Sequence, residues 1–345
     1  PHQIASAMST TSARPALIVS HRCHAVFAAE LTALVARLNL PHEVLALPED
    51  KDGRLPEADV ARGEIAFYSQ DLNPSHARQF FSAVRKGPNI KWIHVFNIGV
   101  DHPIYTEMLE RGVRVTTSAG TTALPISQTA ITGMLMLSRG FPLWLRQQAE
   151  RRWQQVRLQD SPPDLPGQTV VVYGMGAIGT EFARLAKALG MHVIGVRRSP
   201  KKPDDPVDEM HTPDQIDKLL PRAQWLMLCS PLTAETRKLL NAQRLALLPK
   251  GAHVMNVSRG EVIDEAAMIE SLKSGHLAGA YLDVFEQEPL PAESPLWGLP
   301  NVIVTPHNST SSRGNERRVF DCFARILEQY ANGQKPMTNE VLRTG

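Results

Sequence analysis

The chain has 345 residues, of which 43% are apolar, 21% charged and 6% aromatic. That is enough for about two domains of roughly 150 residues, and too ordinary for a collagen-like, low-complexity or wholly disordered protein. Lys and Arg number 37 against 35 Asp and Glu, a formal charge of +2, too balanced for a protein that grips a nucleic-acid backbone through many basic contacts.

No apolar run reaches the length of a membrane span, so no membrane partner is expected. Residues Pro1–Ala7 precede Met8 and read as a cloning remnant, with no signal-peptide core behind them. The three cysteines, Cys23, Cys229 and Cys322, lie far apart and suit a reduced, cytoplasmic chain better than a disulfide framework.

Short apolar runs then alternate with helical patterns, the signature of βαβ units and a mostly parallel sheet. The first series predicts strands at Ala16–Val19, Glu43–Leu47, Ile65–Tyr68, Trp92–Phe96 and Val113–Thr116, with helices near Phe27–Leu38 and Ser75–Lys86. A helical region, Thr121–Val156, carries Leu135, Met136, Leu137 and Trp144 and ends at Ser161-Pro162-Pro163. The second series predicts strands at Thr169–Tyr173, Val193–Val196, Trp225–Leu228, His253–Val257, Ala278–Leu282 and Val302–Val304. Apolar residues from Val319 to Tyr330 recur with a helical period; that helix docks on either domain as far as periodicity can tell.

Gly174-Met175-Gly176-Ala177-Ile178-Gly179 directly follows a predicted strand and opens a helix over Thr180–Leu189. In that setting the first glycine permits a tight turn, the second lets backbone approach a pyrophosphate, and the third lets helix pack on strand. The pattern predicts a dinucleotide site. An NAD site would place an acid about 20 residues on, to bind the ribose hydroxyls. Here that strand ends in Arg197-Arg198-Ser199. Two guanidiniums and a hydroxyl suit a 2′-phosphate, which points to NADP over NAD. The alternative is a solvated basic turn running into Lys201-Lys202.

Three further segments follow successive strands: Asn256-Val257-Ser258-Arg259-Gly260, Leu282 through Leu290, and Thr305-Pro306-His307. With the glycine loop and Ser230-Pro231-Leu232-Thr233 they resemble the D-isomer-specific 2-hydroxyacid dehydrogenase family, glyoxylate/hydroxypyruvate reductases in particular. The likeness covers nearly the whole chain and is strongest from Leu165 to His307. It implies Arg259, Glu288 and His307 as the catalytic set, and the chemistry suits those residue types. Reducing a 2-keto acid takes a hydride and a proton. His307 can supply the proton, and a neighbouring carboxylate at Glu288 suits the imidazolium and fixes the ring. Arg259, always charged, can hold the substrate carboxylate and polarise its carbonyl.

The resemblance further implies that Ile98 and Gly99, in Asn97-Ile98-Gly99-Val100-Asp101, offer backbone N–H groups to the substrate carboxylate. The bland alternative is a turn that needs Gly99. Ser230 and Pro231 would line the adenosine side, with Ser258 and Asp283 near the nicotinamide and Asp283 accepting the carboxamide N–H. Cys229 reads as a small apolar strand residue, and no metal site is expected.

The implied architecture is α/β, with two Rossmann-like domains and the active site in the cleft. A flavodoxin-like substrate domain would comprise 8–118 and 308–345, with the dinucleotide-binding domain, 119–307, inserted. The stretch 121–158 resembles the family's dimerisation arm, so a homodimer is expected.

Two departures stand out. Ser127-Gln128 replaces the family's frequent Ala-Glu, and Asn308-Ser309 replaces a small apolar and glycine pair. Asn308 either hydrogen-bonds a substrate substituent or caps the next helix. A formate-dehydrogenase-like activity is disfavoured because those relatives carry Gln at the position of Glu288. A phosphoglycerate dehydrogenase with a regulatory domain is also disfavoured, none being expected after Gly345. The runner-up from another class is a dinucleotide-sensing corepressor-like protein, which would be expected to carry long disordered tails.

Overall fold

The computed structural model describes residues 14–97, 99–100 and 102–342. The chain forms two compact units, one running through Thr121 and resuming at Arg313, the other Thr122–Ser312. Residues 308–312 therefore group with the second unit.

The first unit opens with β1 (Ala16–Val19), α1 (His21–Arg37), β2 (Glu43–Ala46), α2 (Glu57–Arg62) and β3 (Gly63–Tyr68). It continues through α3 (Ala77–Lys86), β4 (Trp92–Val95), α4 (Pro103–Glu110) and β5 (Arg114–Thr117). The strands make one five-stranded parallel sheet in the order β2-β1-β3-β4-β5, the flavodoxin-like order. β1 and β4 are buried at every position, as strands covered on both faces must be. α1 begins six residues before the expected Phe27, because Ser20 caps it by accepting from the Cys23 N–H at 2.9 Å. α2 and α4, six and eight residues long, are too short to announce a period.

The second unit starts with α5 (Ala123–Arg139) and α6 (Phe141–Ala149). The single helical region expected over Thr121–Val156 is broken at Gly140, whose φ of 77° is left-handed backbone that glycine adopts freely. The two halves differ. α5 packs into its own unit, with Ala130 and Met134 fully buried, and a Cβ on Gly133 would fall 2.5 Å from the Tyr281 ring. α6 and the chain after it instead expose Phe141, Trp144, Leu145, Trp153 and Leu158.

The unit then runs through β6 (Thr169–Tyr173), α7 (Ala177–Ala188), β7 (His192–Val196), β8 (Glu209–His211), α8 (Ile216–Leu219) and β9 (Trp225–Leu228). It closes with α9 (Ala242–Leu247), β10 (Ala252–Asn256), α10 (Glu265–Lys273), β11 (Leu277–Leu282) and β12 (Val302–Val304). Its seven parallel strands lie in the order β12-β11-β10-β9-β6-β7-β8. β8 is a three-residue polar edge strand and carries no apolar signal.

After Arg313 the chain returns to the first unit with α11 (Asn315–Ala331). Its Phe320 stacks on Phe27 at 4.0 Å and its Phe323 on Phe67 at 4.4 Å. Truncating the fully buried Phe323 to Ala would cost ~3–5 kcal/mol. Beyond α11, Glu340 forms a two-pronged ion pair with Arg114 at 2.7 Å per contact. Among the described residues no helix is long and apolar enough to cross a membrane, and no cluster of His, Cys, Asp and Glu could hold a metal ion.

Candidate active site

The β6–α7 turn is built by close approach. Gly174 has φ 107°, and a Cβ there would lie 2.6 Å from the Ser230 N. One on Gly179 would lie 2.1 Å from the Gly174 carbonyl oxygen. Around Gly176, by contrast, a Cβ would meet nothing within 4 Å. Ala177 and Ile178 open α7, which starts three residues before the expected Thr180, with Gly176 at its cap and no side chain bonded to its N-terminal N–H groups. Unfilled space beside an uncapped helix end attracts a pyrophosphate. Ser127 on α5 steadies the turn by donating its hydroxyl to the Ile178 carbonyl at 3.0 Å.

Facing the turn, Ser230 is buried and its Oγ has no hydrogen-bond partner among the described residues. That is costly unless a ligand supplies one. Pro231 is exposed, its carbonyl accepting from the Thr236 hydroxyl at 2.8 Å. The Cys229 thiol beneath donates to the Gly174 carbonyl at 3.0 Å, and burial pushes its pKa up to about 12. It is an inert packing group, as expected.

The loop after β7 departs from expectation. Arg197 is not free: its Nη1 and Nη2 pair with the two oxygens of Asp205 at 2.9 and 2.5 Å. Its Nη2 also donates to the Pro200 carbonyl, at 2.5 Å, and its Nε to that of Ser199, at 3.1 Å. Arg198 and Ser199 are exposed, with Glu235 3.9 Å from the Arg198 guanidinium. So one guanidinium, not two, is available to a 2′-phosphate.

After β10, Ser258 turns inward, its hydroxyl and N–H both donating to the Asn256 Oδ1, at 2.7 and 3.0 Å. Asn256 in turn donates to the Arg259 carbonyl at 3.0 Å. Arg259 is exposed. A Cβ on Gly260 would fall 1.8 Å from the Phe285 carbonyl carbon, so only glycine lets the Arg259 loop close on the segment leading to Glu288. Glu288 is held at both oxygens, by the Phe285 N–H at 3.1 Å and by His307 Nδ1 at 2.7 Å. His307 sits at φ 48° with its side chain 45% exposed. With Nδ1 engaged, Nε2 is the nitrogen presented outward.

Asp283 is buried, and its carboxylate accepts from the Thr305 hydroxyl (2.6 Å), the Asn308 N–H (2.9 Å), and the Ser309 N–H and hydroxyl, the latter at 2.5 Å. The expectation that it receives a carboxamide N–H meets a group whose acceptor sites are already filled. Its own carbonyl accepts from the His307 N–H at 2.8 Å. Asn308 caps no helix: its side chain receives the Ser311 hydroxyl, and α11 starts at Asn315 behind Gly314.

A family model described as D-isomer specific 2-hydroxyacid dehydrogenase, NAD binding domain, matches residues 131–309. The chain belongs to this family. A glyoxylate reductase of Korarchaeum cryptofilum is 31% identical over 79% of this chain and 81% of its own. A D-isomer specific 2-hydroxyacid dehydrogenase from Xanthobacter autotrophicus Py2, solved with NADPH and MES, is 31% identical with a TM-score of 0.73, covering 96% of this chain and 98% of that one. A D-3-phosphoglycerate dehydrogenase of Methanocaldococcus jannaschii is 32% identical over 73% of this chain but 47% of its own length, so this chain spans about half of that relative. The protein is thus an oxidoreductase of the 2-hydroxyacid dehydrogenase type with NAD or NADP as its cofactor.

In this dehydrogenase the expected carboxylate-binding loop lies in the first unit, after β4. Gly99 accepts, through its carbonyl, from the Asn97 side chain, whose Oδ1 receives the Tyr105 hydroxyl at 3.1 Å. Ile98 lies outside the described residues. Thr305 and Ser309, noted in the sequence without this role, and Asp205, not noted at all, hold the site loops. The signal available for Ser309 was its place two residues after His307. Nothing local marks Asp205.

Proposed function

We propose that this dehydrogenase reduces a small 2-keto acid, of the glyoxylate or hydroxypyruvate type or bulkier, to the D-2-hydroxy acid, with NADPH preferred over NADH. The observation that carries the reading is the His307–Glu288 contact of 2.7 Å, with Glu288 itself fixed by the Phe285 N–H. Glu288 orients the ring, and Nε2 delivers the proton to the ketone oxygen. Arg259 holds the substrate carboxylate and polarises the carbonyl. The bound nicotinamide supplies the hydride. Gly174, Gly176 and Gly179 admit the pyrophosphate, Ala177 and Ile178 bring the α7 end to it, and Ser230 and Pro231 flank the adenosine. Ser258 and Asp283 shape the nicotinamide end from within, Asp283 by holding the His307 loop. The backbone N–H groups of Ile98 and Gly99 would serve the substrate carboxylate. The relative solved with NADPH supports the cofactor preference, and the glyoxylate reductase supports the substrate class.

The apolar face of α6 with Trp153 and Leu158, 92% and 90% exposed, supports a homodimer, since such surface is seldom left wet. Sedimentation at micromolar concentration checks this, and a monomer would end it. Three free cysteines suit a reducing, cytoplasmic setting.

The deciding experiment follows absorbance at ~340 nm with NADPH or NADH against glyoxylate, hydroxypyruvate and phenylpyruvate, comparing kcat/KM. The expected result is turnover with NADPH ahead. His307→Gln should lower kcat by ~10²–10⁴-fold with cofactor affinity nearly intact. Full activity in that variant would remove His307 from the chemistry.

A further inference from the structure

The two arginines that follow β7 lie in opposite environments. Arg197 has a side chain 12% exposed against an Asp205 side chain only 5% exposed. Four of its hydrogen bonds run to Asp205, Pro200 and Ser199, which leaves one of its five N–H groups uncommitted. Asp205 also receives the Lys202 N–H at 2.6 Å, and Lys201 Nζ ties down the Val207 and Asp208 carbonyls at 2.8 and 3.1 Å. Burial alone would raise the Asp205 pKa, but the Arg197 guanidinium and the Lys202 N–H hold it below the usual carboxylate range. The loop is thus closed on an internal ion pair. Arg198 has a side chain 80% exposed and approaches Glu235 at 3.9 Å. Glu235 is itself held by the Thr233 hydroxyl at 2.6 Å.

We propose that Arg198 is the one arginine that reads the 2′-phosphate of NADP, while Arg197, locked to Asp205, is a positioning residue that shapes the loop displaying it. The inference rests on the NADPH preference proposed above. Swinging Arg197 out to a phosphate would strand a buried carboxylate, a heavier loss than one exposed phosphate contact returns. Arg198 needs to give up only a solvent-screened approach to Glu235. Glu235 therefore weakens NADP binding, competing with the phosphate for the same guanidinium.

The test measures Kd by quenching of intrinsic fluorescence with NADP⁺, NAD⁺ and 2′,5′-ADP, so that turnover is not the readout. Arg198→Ala should weaken NADP⁺ and 2′,5′-ADP by ~10–100-fold, the range of a charge-assisted contact, and leave NAD⁺ within ~2-fold. Glu235→Gln should tighten NADP⁺ by ~2–5-fold.

The sign of Asp205→Ala separates the two roles for Arg197. If Arg197 positions the loop, Asp205→Ala weakens NADP⁺ as Arg197→Ala does, and the double variant is no worse than either. If Arg197 grips the phosphate, Asp205→Ala frees it and tightens NADP⁺, which overturns the proposal. Should Asp205→Ala fail to fold, Asp205→Asn keeps one acceptor and carries the same sign test. A wild type that binds NADP⁺ and NAD⁺ equally would overturn the cofactor preference itself. A wild type that prefers NADP⁺, with an Arg198→Ala variant that keeps the preference, would overturn this division alone.

Discussion

Both units send a central strand into the first helix of a parallel sheet, and they finish that turn in opposite ways. In the first unit β1 passes to α1 through Ser20, which is buried, caps the helix at 2.9 Å and takes the Ser69 hydroxyl at 3.0 Å. In the second, β6 passes to α7 through glycines with no side-chain cap. Two histidines, one from each unit, show the same contrast. His94 in the first unit is buried between the Thr116 and Ser118 hydroxyls at 2.8 and 3.0 Å, and burial lowers its pKa to about 3. His307 in the second is nearly half exposed against Glu288. One plan satisfies its polar groups internally in the first case and leaves them facing outward, where the proposed chemistry would need them, in the second.

Breaking the open turn should have the largest effect. Gly179→Val would force a branched side chain onto the Gly174 carbonyl, and dinucleotide affinity should fall by ~10²-fold or more, equivalent to ~2.7 kcal/mol. Titration with NADP⁺ reads this, and wild-type affinity would mean the turn tolerates what its geometry forbids. The buried histidine sharpens the other side. Unfolded, His94 titrates at ~6.5; folded, at about 3; so between those values the unfolded chain holds the extra proton. The stability of the first unit is complete above pH ~6.5 and declines as pH falls, by ~2 kcal/mol at pH 5. His94→Gln should flatten the change in urea midpoint between pH 7 and 5, and an unchanged slope would reject the assignment. The smallest effect belongs to the closed turn. Ser20→Ala removes a helix cap and should cost ~1 kcal/mol, seen as a lower Tm with dinucleotide affinity untouched.

Legibility in the sequence followed the physics of each feature. The strands at Thr169–Tyr173 and Trp225–Leu228 are continuous apolar runs because both sheet faces are covered, so their bounds could be read directly. β8 could not, being short, polar and at an edge. Gly140 was visible as a residue, but its left-handed break inside an otherwise periodic stretch was not. In the candidate site, the family resemblance implied that Glu288 and His307 act together, and the structure brings them to 2.7 Å. The saturation of Asp283 by residues 25 and 26 positions away, and the spending of Arg197 on Asp205, depend on how loops fold back. No period or propensity encodes that.

The return of α11 and Glu340 to the first unit has a consequence for biosynthesis. Arg114 and Glu340 are 226 positions apart, an interval that a ribosome covers in ~10–45 s at ~5–20 residues per second. Through that time the nascent first unit has its strands but lacks the rings of Phe320 and Phe323, which later cover Phe27 and Phe67. The second unit, contiguous in sequence, can mature first. The emerging chain therefore carries an open aromatic surface late into translation, and its safe passage depends on whatever shields that surface until the last helix arrives.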